Sequence, residues 1–594
     1  MKSPVGVNSA RDPRTVRANP TVSSLLRSIA LLAALSGVAS CRPANRASST
    51  TDAGLVALPP PERPRDLLLS GRIARPSASV AALAQLAGAR VPFELGMSLV
   101  LGFDATVISA VDLSRVMELV VTGQPGQGVV TLAFVPRSPR TLRAGLASRF
   151  RLVSVPGLGE RLDPRGDNAP AGGWRCAIVS VPAPEGVRVA CANDPGALAR
   201  NGRWVAYASV APRAITDDVV LDAEGPSARA ALGPYLRRAL SQGAAMLGQD
   251  TDEAPSNAPR TPGDSGDAGD SGVGPSWAPR MQGFIDEVDP TLADVRGVSI
   301  RLGVDDRGMR VELSAALDPA GRSTLARESA RRVNASGAHP LAGRLAPNAA
   351  VAFASRSTAE GTRSIARALL SRALRAAGSE AASAVAEADV DALFARAGDA
   401  VALSLTREAP PERPPVPRPR ADLERLGNDS RFSPTARYEA TALVPLDDGG
   451  SAARAELRRL AAAPWLRQAA LSVTTGRDAL TVRPARAAGR ATAGREVTLA
   501  VSRGALALLW GPDTRAQLRA LDARTEGPPP ATIEGAEAPM VLGVDVLSLA
   551  RGQPGAPVRF TWGASREGDA LRSTVRFELG GPLLRALRGL LPGR

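Results

Sequence analysis

The sequence predicts an α+β protein: two degenerate repeats of a mostly antiparallel sheet with packed helices, joined by disordered linkers. Three observations carry this expectation. Short apolar strands end at proline and are followed by helical spacing. Paired apolar runs flank Pro/Gly or Asp/Gly turns. The same order then recurs late in the chain.

In the first block, Val129 to Val135 is a strand closed by Pro136, and Pro139 to Phe150 has helical spacing. Cys176 to Cys191 reads as a hairpin about Pro182-Ala183-Pro184-Glu185-Gly186. Asp194 is then a candidate N-cap, with Pro195 at the first helical position. Trp204 to Val210 reads as the next strand. Helices are expected near Pro234–Leu247 and Gln282–Val288, before a broad hairpin of Val298–Val304 and Met309–Leu317. In the second block, Tyr438 to Val444 ends at Pro445, and Ser451 to about Ala462 is a helix. Glu496–Val501 and Ala505–Trp510 pair about Arg503-Gly504, and Pro512-Asp513 opens a helix. Met540 to Val546 and the hairpin Val558–Trp562 with Leu571–Leu579 complete it. This recurrence is the signature of an internal duplication.

The expected organisation is a signal segment at 1–40, a flexible tether at 41–66 and a first α+β unit at 67–340. An intervening strand-helix piece at 341–408, a proline-rich linker at 409–434 and a second unit at 435–594 follow. The acidic Gly/Asp/Ser tract at about 248–279 has almost nothing apolar to bury and is expected to be disordered.

The N-terminal segment sets the address. An apolar run from Ile29 to Val38 follows Arg27 and closes on Val38-Ala39-Ser40-Cys41. A short apolar core behind a positive charge, ending in small residues, has the form of a secretion signal. It is too short for a membrane span, which needs about 20 apolar residues. Its ending resembles the lipobox of bacterial lipoproteins. That resemblance covers residues 1–41 and implies acylation of Cys41 as the first mature residue. It implies a lipid anchor in the cell envelope, and Arg42 in place of aspartate favours the outer membrane. The stretch before the apolar run is long and holds Pro13 and Pro20, which sets the expected translation start downstream of Met1.

Export gives the other two cysteines a meaning. Folding the hairpin about its centre opposes Cys176 and Cys191 at its open end, where cross-strand neighbours lie close enough to bond. An oxidising compartment permits a structural disulfide.

Composition excludes more chemistry than it supplies. Lys2 is the only lysine, so the mature chain holds neither a phosphate loop ending Gly-Lys-Ser/Thr nor a Schiff-base lysine. His339 is the only histidine, which rules out a multi-histidine zinc site, and its place before Pro340 reads as an exposed loop. Gly263-Asp264-Ser265-Gly266 lies in low-complexity sequence and is a chance match to a protease nucleophile loop. Paired carboxylates remain open, with Asp104, Glu160, Asp217 and Asp218 as candidates that no spacing selects. No cofactor, metal ligand or catalytic residue is assigned.

The net charge of +15 falls to +11 once the +4 carried by 1–40 is removed. Scattered arginines and an aromatic content of 3% argue against nucleic acid. The expected partners are the membrane through the anchor, and an envelope protein or anionic surface. Pro582 to Leu591 has the pattern of a short basic amphipathic helix, expected to pack on its own domain. Together these features predict a cell-envelope lipoprotein that binds or scaffolds. The alternatives are a carrier of apolar ligands and an acid/base hydrolase.

Overall fold

The computed structural model describes residues 61–87, 103–124, 128–165, 174–182, 185–208, 217–230, 233–234, 237, 277–305, 308–333, 335, 339–356, 358–376, 387–407, 438–463, 471–484, 496–524, 527–535, 537–551 and 554–583. Cys41, the tether up to residue 60, the Gly263 motif, most of the acidic tract and the proline-rich linker lie outside them. The α+β class holds, weighted towards sheet, with antiparallel strands and packed helices.

The described elements begin with β1 (Leu67–Ile73), α1 (Pro76–Ala87), α2 (Ala105–Ala110), β2 (Met117–Thr122) and β3 (Val129–Phe134). Next come α3 (Pro139–Ala147), β4 (Phe150–Val155), β5 (Gly159–Pro164), β6 (Arg175–Ser180), β7 (Val187–Ala192) and α4 (Pro195–Ala208). They lead to β8 (Val219–Glu224), α5 (Trp277–Asp294), β9 (Val295–Asp305), β10 (Gly308–Leu317) and α6 (Thr324–Arg332). The later part holds β11 (Val351–Arg356), α7 (Ala359–Ala376), α8 (Glu387–Leu393), β12 (Ala400–Arg407), β13 (Tyr438–Pro445) and α9 (Ser451–Ala461). It ends with β14 (Leu471–Thr475), β15 (Ala479–Pro484), β16 (Glu496–Ser502), β17 (Ala505–Gly511), α10 (Thr514–Ala523), β18 (Met540–Val544), α11 (Val546–Arg551), β19 (Val558–Glu567) and β20 (Ala570–Gly580).

Two compact units divide these elements. The smaller takes Arg75–Met117 and Ala133–Val210. Its strands β4, β5, β6 and β7 form an antiparallel meander, and α4 packs on β6 and β7. The strand expected over Trp204 to Val210 is corrected: residues up to Ala208 belong to α4, and the last two lie outside the described residues. The reason is legible in the burial. Leu198, Asn201, Gly202, Val205 and Ala206 are buried, three and four residues apart, on one helical face. Asp194 opens this helix as expected, accepting from the Ala197 amide at 2.6 Å.

The larger unit takes Pro61–Ala74, Glu118–Leu132 and Ala211–Arg594. Its antiparallel strand order is β14, β15, β16, β17, β13, β12, β11, β18, β19, β20, β10, β9, β8, β1, and the pairing continues to β2 and β3. The strand-helix segment 341–408 contributes two strands to this sheet. Its β11 and β12 sit between β18 and β13.

Around β13 the sheet is covered on both faces. Val444 packs with Phe394, Val401, Leu457 and Leu460. Its neighbour Leu443 points to the other face, with Leu341, Leu345, Leu521 and Val541. Alanines at 352, 354, 402 and 507 sit at 1% exposure or less, so helices approach closely over a core with few rings.

The middle of the sheet is built differently. Antiparallel partners share a face, and the register aligns apolar rows across β18, β19, β20, β10, β9 and β8. One row runs Leu542, Phe560, Phe577, Val311, Leu302, Val219. The next runs Met540, Trp562, Val575, Leu313, Ile300, Leu221. The reverse face is polar, with Arg576 on Glu312 at 2.8 Å and the Ser314 and Thr574 hydroxyls 3.2 Å apart.

Candidate functional site

The nominated acids are held one by one. Asp104 is the N-cap of α2, accepting from the Thr106 amide at 2.8 Å and from Arg149 Nε at 2.7 Å. Burial pushes its carboxyl up, but the Arg149 and Thr106 hydrogen bonds outweigh that and hold it below the usual value. Glu160, on β5, accepts from Arg143 at 2.7 Å. Asp217 accepts from Arg310 at 2.7 Å, and Asp218 accepts from the Val304 amide at 2.8 Å, anchoring the entry to β8 against β9. Among the described residues no three His, Cys, Asp or Glu side chains gather to hold a metal ion.

His339 corrects an expectation. It is half-buried rather than exposed: its Nε2 lies 3.2 Å from the Ser355 carbonyl, and its Nδ1 accepts from the Leu341 amide at 3.2 Å. Those partners define a neutral ring with the proton on Nε2. Burial pushes its pKa down, with help from Arg356 and against the Ser355 carbonyl and Asp399. Because the folded value lies below the unfolded value of about 6.5, the unfolded chain takes the extra proton first. Stability is therefore complete above about pH 6.5 and falls as the pH drops below it, by at most about 1.4 kcal/mol per pH unit for one proton. Urea unfolding of the wild type should weaken between pH 7.5 and 5.5. His339→Gln should start lower and lose that slope; an unchanged slope would assign it to other groups.

Cys176 and Cys191 stand directly opposite in β6 and β7, with sulfurs 2.13 Å and Cα atoms 4.0 Å apart. They are at disulfide distance where the hairpin folding places them. Cys176 also lines a shallow dent with Phe103, Asp104, Trp174 and Arg175, which has room for about one water molecule. Phe103 stacks on Trp174 with centroids 4.3 Å apart. The dent is a packing seam, too small for an organic ligand.

The largest uncommitted chemistry is the apolar face of β9, β10, β20 and β19. One end of it is covered by α6: Leu325 and Val333 pack over Val295, Leu317 and Leu571, and the Arg332 guanidinium lies 4.2 Å over the Trp562 ring. At the other end the described residues leave apolar side chains in contact with solvent. Leu313 is 43% exposed and Phe577 is 42% exposed, the two rings Phe560 and Phe577 meeting edge to face at 5.0 Å. Leu313 and Phe577 are diagonal neighbours on paired strands, so their exposed surfaces adjoin rather than lie scattered singly. Sequence reasoning located these hairpins but missed the surface. Its signal was the strict alternation of Val298, Ile300, Leu302, Val304 with Ser299, Arg301, Gly303.

Fold and site define a mixed, sheet-dominated protein with an amphipathic central sheet. Comparison with protein-family models, curated protein sequences and solved structures found no match.

Proposed function

We propose that this chain is a lipid-anchored protein of the cell envelope, sorted to the outer membrane, that binds or scaffolds rather than catalyses. The observation that carries the binding role is the open apolar end of the central sheet, where Leu313 and Phe577 meet solvent. The address is supported by Val38-Ala39-Ser40-Cys41 and by a cysteine pair at bonding distance, which suits an oxidising compartment. A carrier of apolar ligands draws on the same face and differs in requiring a free fatty acid to bind the full chain.

We also infer that the protein is an internal duplication, with a boundary unlike the one expected from sequence. The first copy runs from β1 to β10 and the second from β11 to β20. In the larger unit the order β3, β2, β1, β8, β9, β10 is mirrored by β13, β12, β11, β18, β19, β20 across the β10–β20 pair. At its centre Leu313 pairs with Val575, each the sixth residue of its strand. The meanders β4 to β7 and β14 to β17 also share their internal order. Superposing the two copies tests this, and unmatched strand directions would refute it.

Fatty-acid labelling tests the anchor. The wild type should incorporate label, lose residues 1–40 and fractionate with outer membrane; Cys41→Ser should lose essentially all label. Full-length, unlabelled wild type in the cytosol would end the proposal. A photo-crosslinking residue at 313 tests the binding role, which predicts discrete adducts in the envelope.

A further inference from the structure

β14 stands at one end of the strand order of the larger unit. It pairs with β15 on one side, whereas β15, β16, β17 and β13 each pair on both. Among the described residues no strand pairs with its outer edge. The hairpin turn fixes what that edge presents. The Gly476 amide donates to the Ala479 carbonyl at 2.8 Å and closes the turn at Arg477-Asp478. Bonded and non-bonded pairs alternate along an antiparallel ladder, so Thr474–Thr481 and Ser472–Arg483 are the bonded pairs towards β15. The amides and carbonyls of Leu471, Val473 and Thr475 therefore point away from β15. Among the described residues they have no partner. We propose that β14 pairs antiparallel with β14 of a second copy of this chain, continuing the sheet edge to edge about a two-fold axis at Val473. This surface is separate from the central apolar face, so the proposal stands apart from the binding role above.

The register selects this occupant first. An axis at Val473 sets Val473 against its own copy and Leu471 against Thr475, so every outward amide meets an outward carbonyl. An axis at Ser472 strands Thr475, and one at Thr474 strands Leu471. Charge agrees. β14 reads Leu-Ser-Val-Thr-Thr, so two copies meet without like charges. The faces agree as well. Val473 packs against the core cluster that holds Leu457 and Leu480, while Ser472 and Thr474 are exposed on the other face. Antiparallel partners share a face, so the two-fold keeps the apolar side of both strands with the α9 layer that packs on β14. The edge also lacks the guards that keep strands apart, such as a charge, a proline or a bulge. β4, which ends the meander of the smaller unit, carries exposed Arg151 instead. A five-residue strand is about 17 Å long and buries well under the roughly 1,200 Å² of stable complexes. The pairing is therefore a weak, reversible one.

The test mixes two forms of the full mature chain, both carrying Cys41→Ser, one with Ser472→Cys and the other with Thr474→Cys. The proposed axis sets position 472 opposite 474 of the second copy as a non-bonded pair, with Cα atoms about 4.5 Å apart and within disulfide reach. Mild oxidation of the mixture should give a 472–474 crosslink between chains by mass spectrometry. Each form alone should give several-fold less dimer. In sedimentation velocity the Cys41→Ser chain should show a dimer whose fraction rises with concentration. Thr475→Pro removes an outward amide and spares the ladder to β15. It should lower that fraction several-fold, whereas Thr475→Val should not, with circular dichroism alike in both. Predominant 472–472 or 474–474 linkage would move the axis and overturn the proposal. So would a chain that stays monomeric without the mixed crosslink, or a dimer indifferent to Thr475→Pro. None of these results touches the central face, whose test is the crosslinking residue at 313.

Discussion

Glu496→Ala should lower folding stability by about 3 kcal/mol, the loss expected when a buried, hydrogen-bonded carboxylate is deleted. Glu496 is 2% exposed at the start of β16, yet it is charged. One oxygen accepts from both the amide and the hydroxyl of Thr514, at 2.8 and 2.7 Å, and the other is paired with Arg483. The Thr514 amide is one of the four that a helix start leaves without an internal acceptor. Asp513 satisfies another by accepting from Ala516 at 2.9 Å. The Thr514 hydroxyl continues to Thr498 at 2.5 Å and on to Thr481 at 2.8 Å, so the carboxylate ends a polar ladder across β15, β16 and α10. Burial pushes the Glu496 carboxyl up, but the Thr514 bonds and Arg483 outweigh it and the net shift is downward. The stabilisation is thus present above the ordinary carboxylate range and is lost as the pH falls through the depressed folded value. Arg483 is half-exposed and is left solvated in the variant, which keeps the loss near the low end for a broken buried pair. Glu496→Gln keeps an acceptor for Thr514 and turns an amide towards Arg483, so it should cost roughly half as much. Urea titration at pH 7 ranks the two. Equal costs would make the negative charge, not the helix start, the source of the stability.

Glu496 also shows where sequence reasoning stops. Glu496 to Val501 was legible as a strand because Val497, Leu499, Ala500 and Val501 lead into the turn at Arg503-Gly504, and Asp513 was legible as a helix start from its neighbour Pro512. That the first residue of the strand would reach the first residue of the helix was not legible, because it depends on β16 and β17 pairing in one register. Charged strands were missed for a related reason. β5 reads Gly-Glu-Arg-Leu-Asp-Pro and buries only Leu162, and β8 offers just Val219-Val220-Leu221 before Asp222 interrupts it. Trp204 to Ala208 failed in the opposite sense, since a short apolar stretch carries no period of its own until Leu198 is counted with it. The open face failed for the longest-range reason. Each hairpin was recognised, but β10 pairs with β20 across some 260 residues of chain, and no local pattern specifies that meeting.

Removing the cysteine pair should have the other large effect. Cys176 and Cys191 close a 15-residue loop, and the chain-entropy account assigns such a bridge about 3 kcal/mol. Both side chains are buried, and the strands that carry them are nearly so, with every residue of β7 buried. Cys176→Ala with Cys191→Ala should therefore act on β6, β7 and the α4 helix that packs on them. Hydrogen exchange resolves this, because protection should fall in those elements of the smaller unit before it falls in β13 or β17 of the larger. Treating the wild type with reductant separates the bond from the packing. If a covalent bridge supplies the stability, the reduced protein and the double variant should exchange alike. If reductant changes nothing while the double variant loosens, the sulfurs matter as buried volume against Ala177, Ala190 and their neighbours. The reliance on an oxidising compartment would then rest on the N-terminal signal alone.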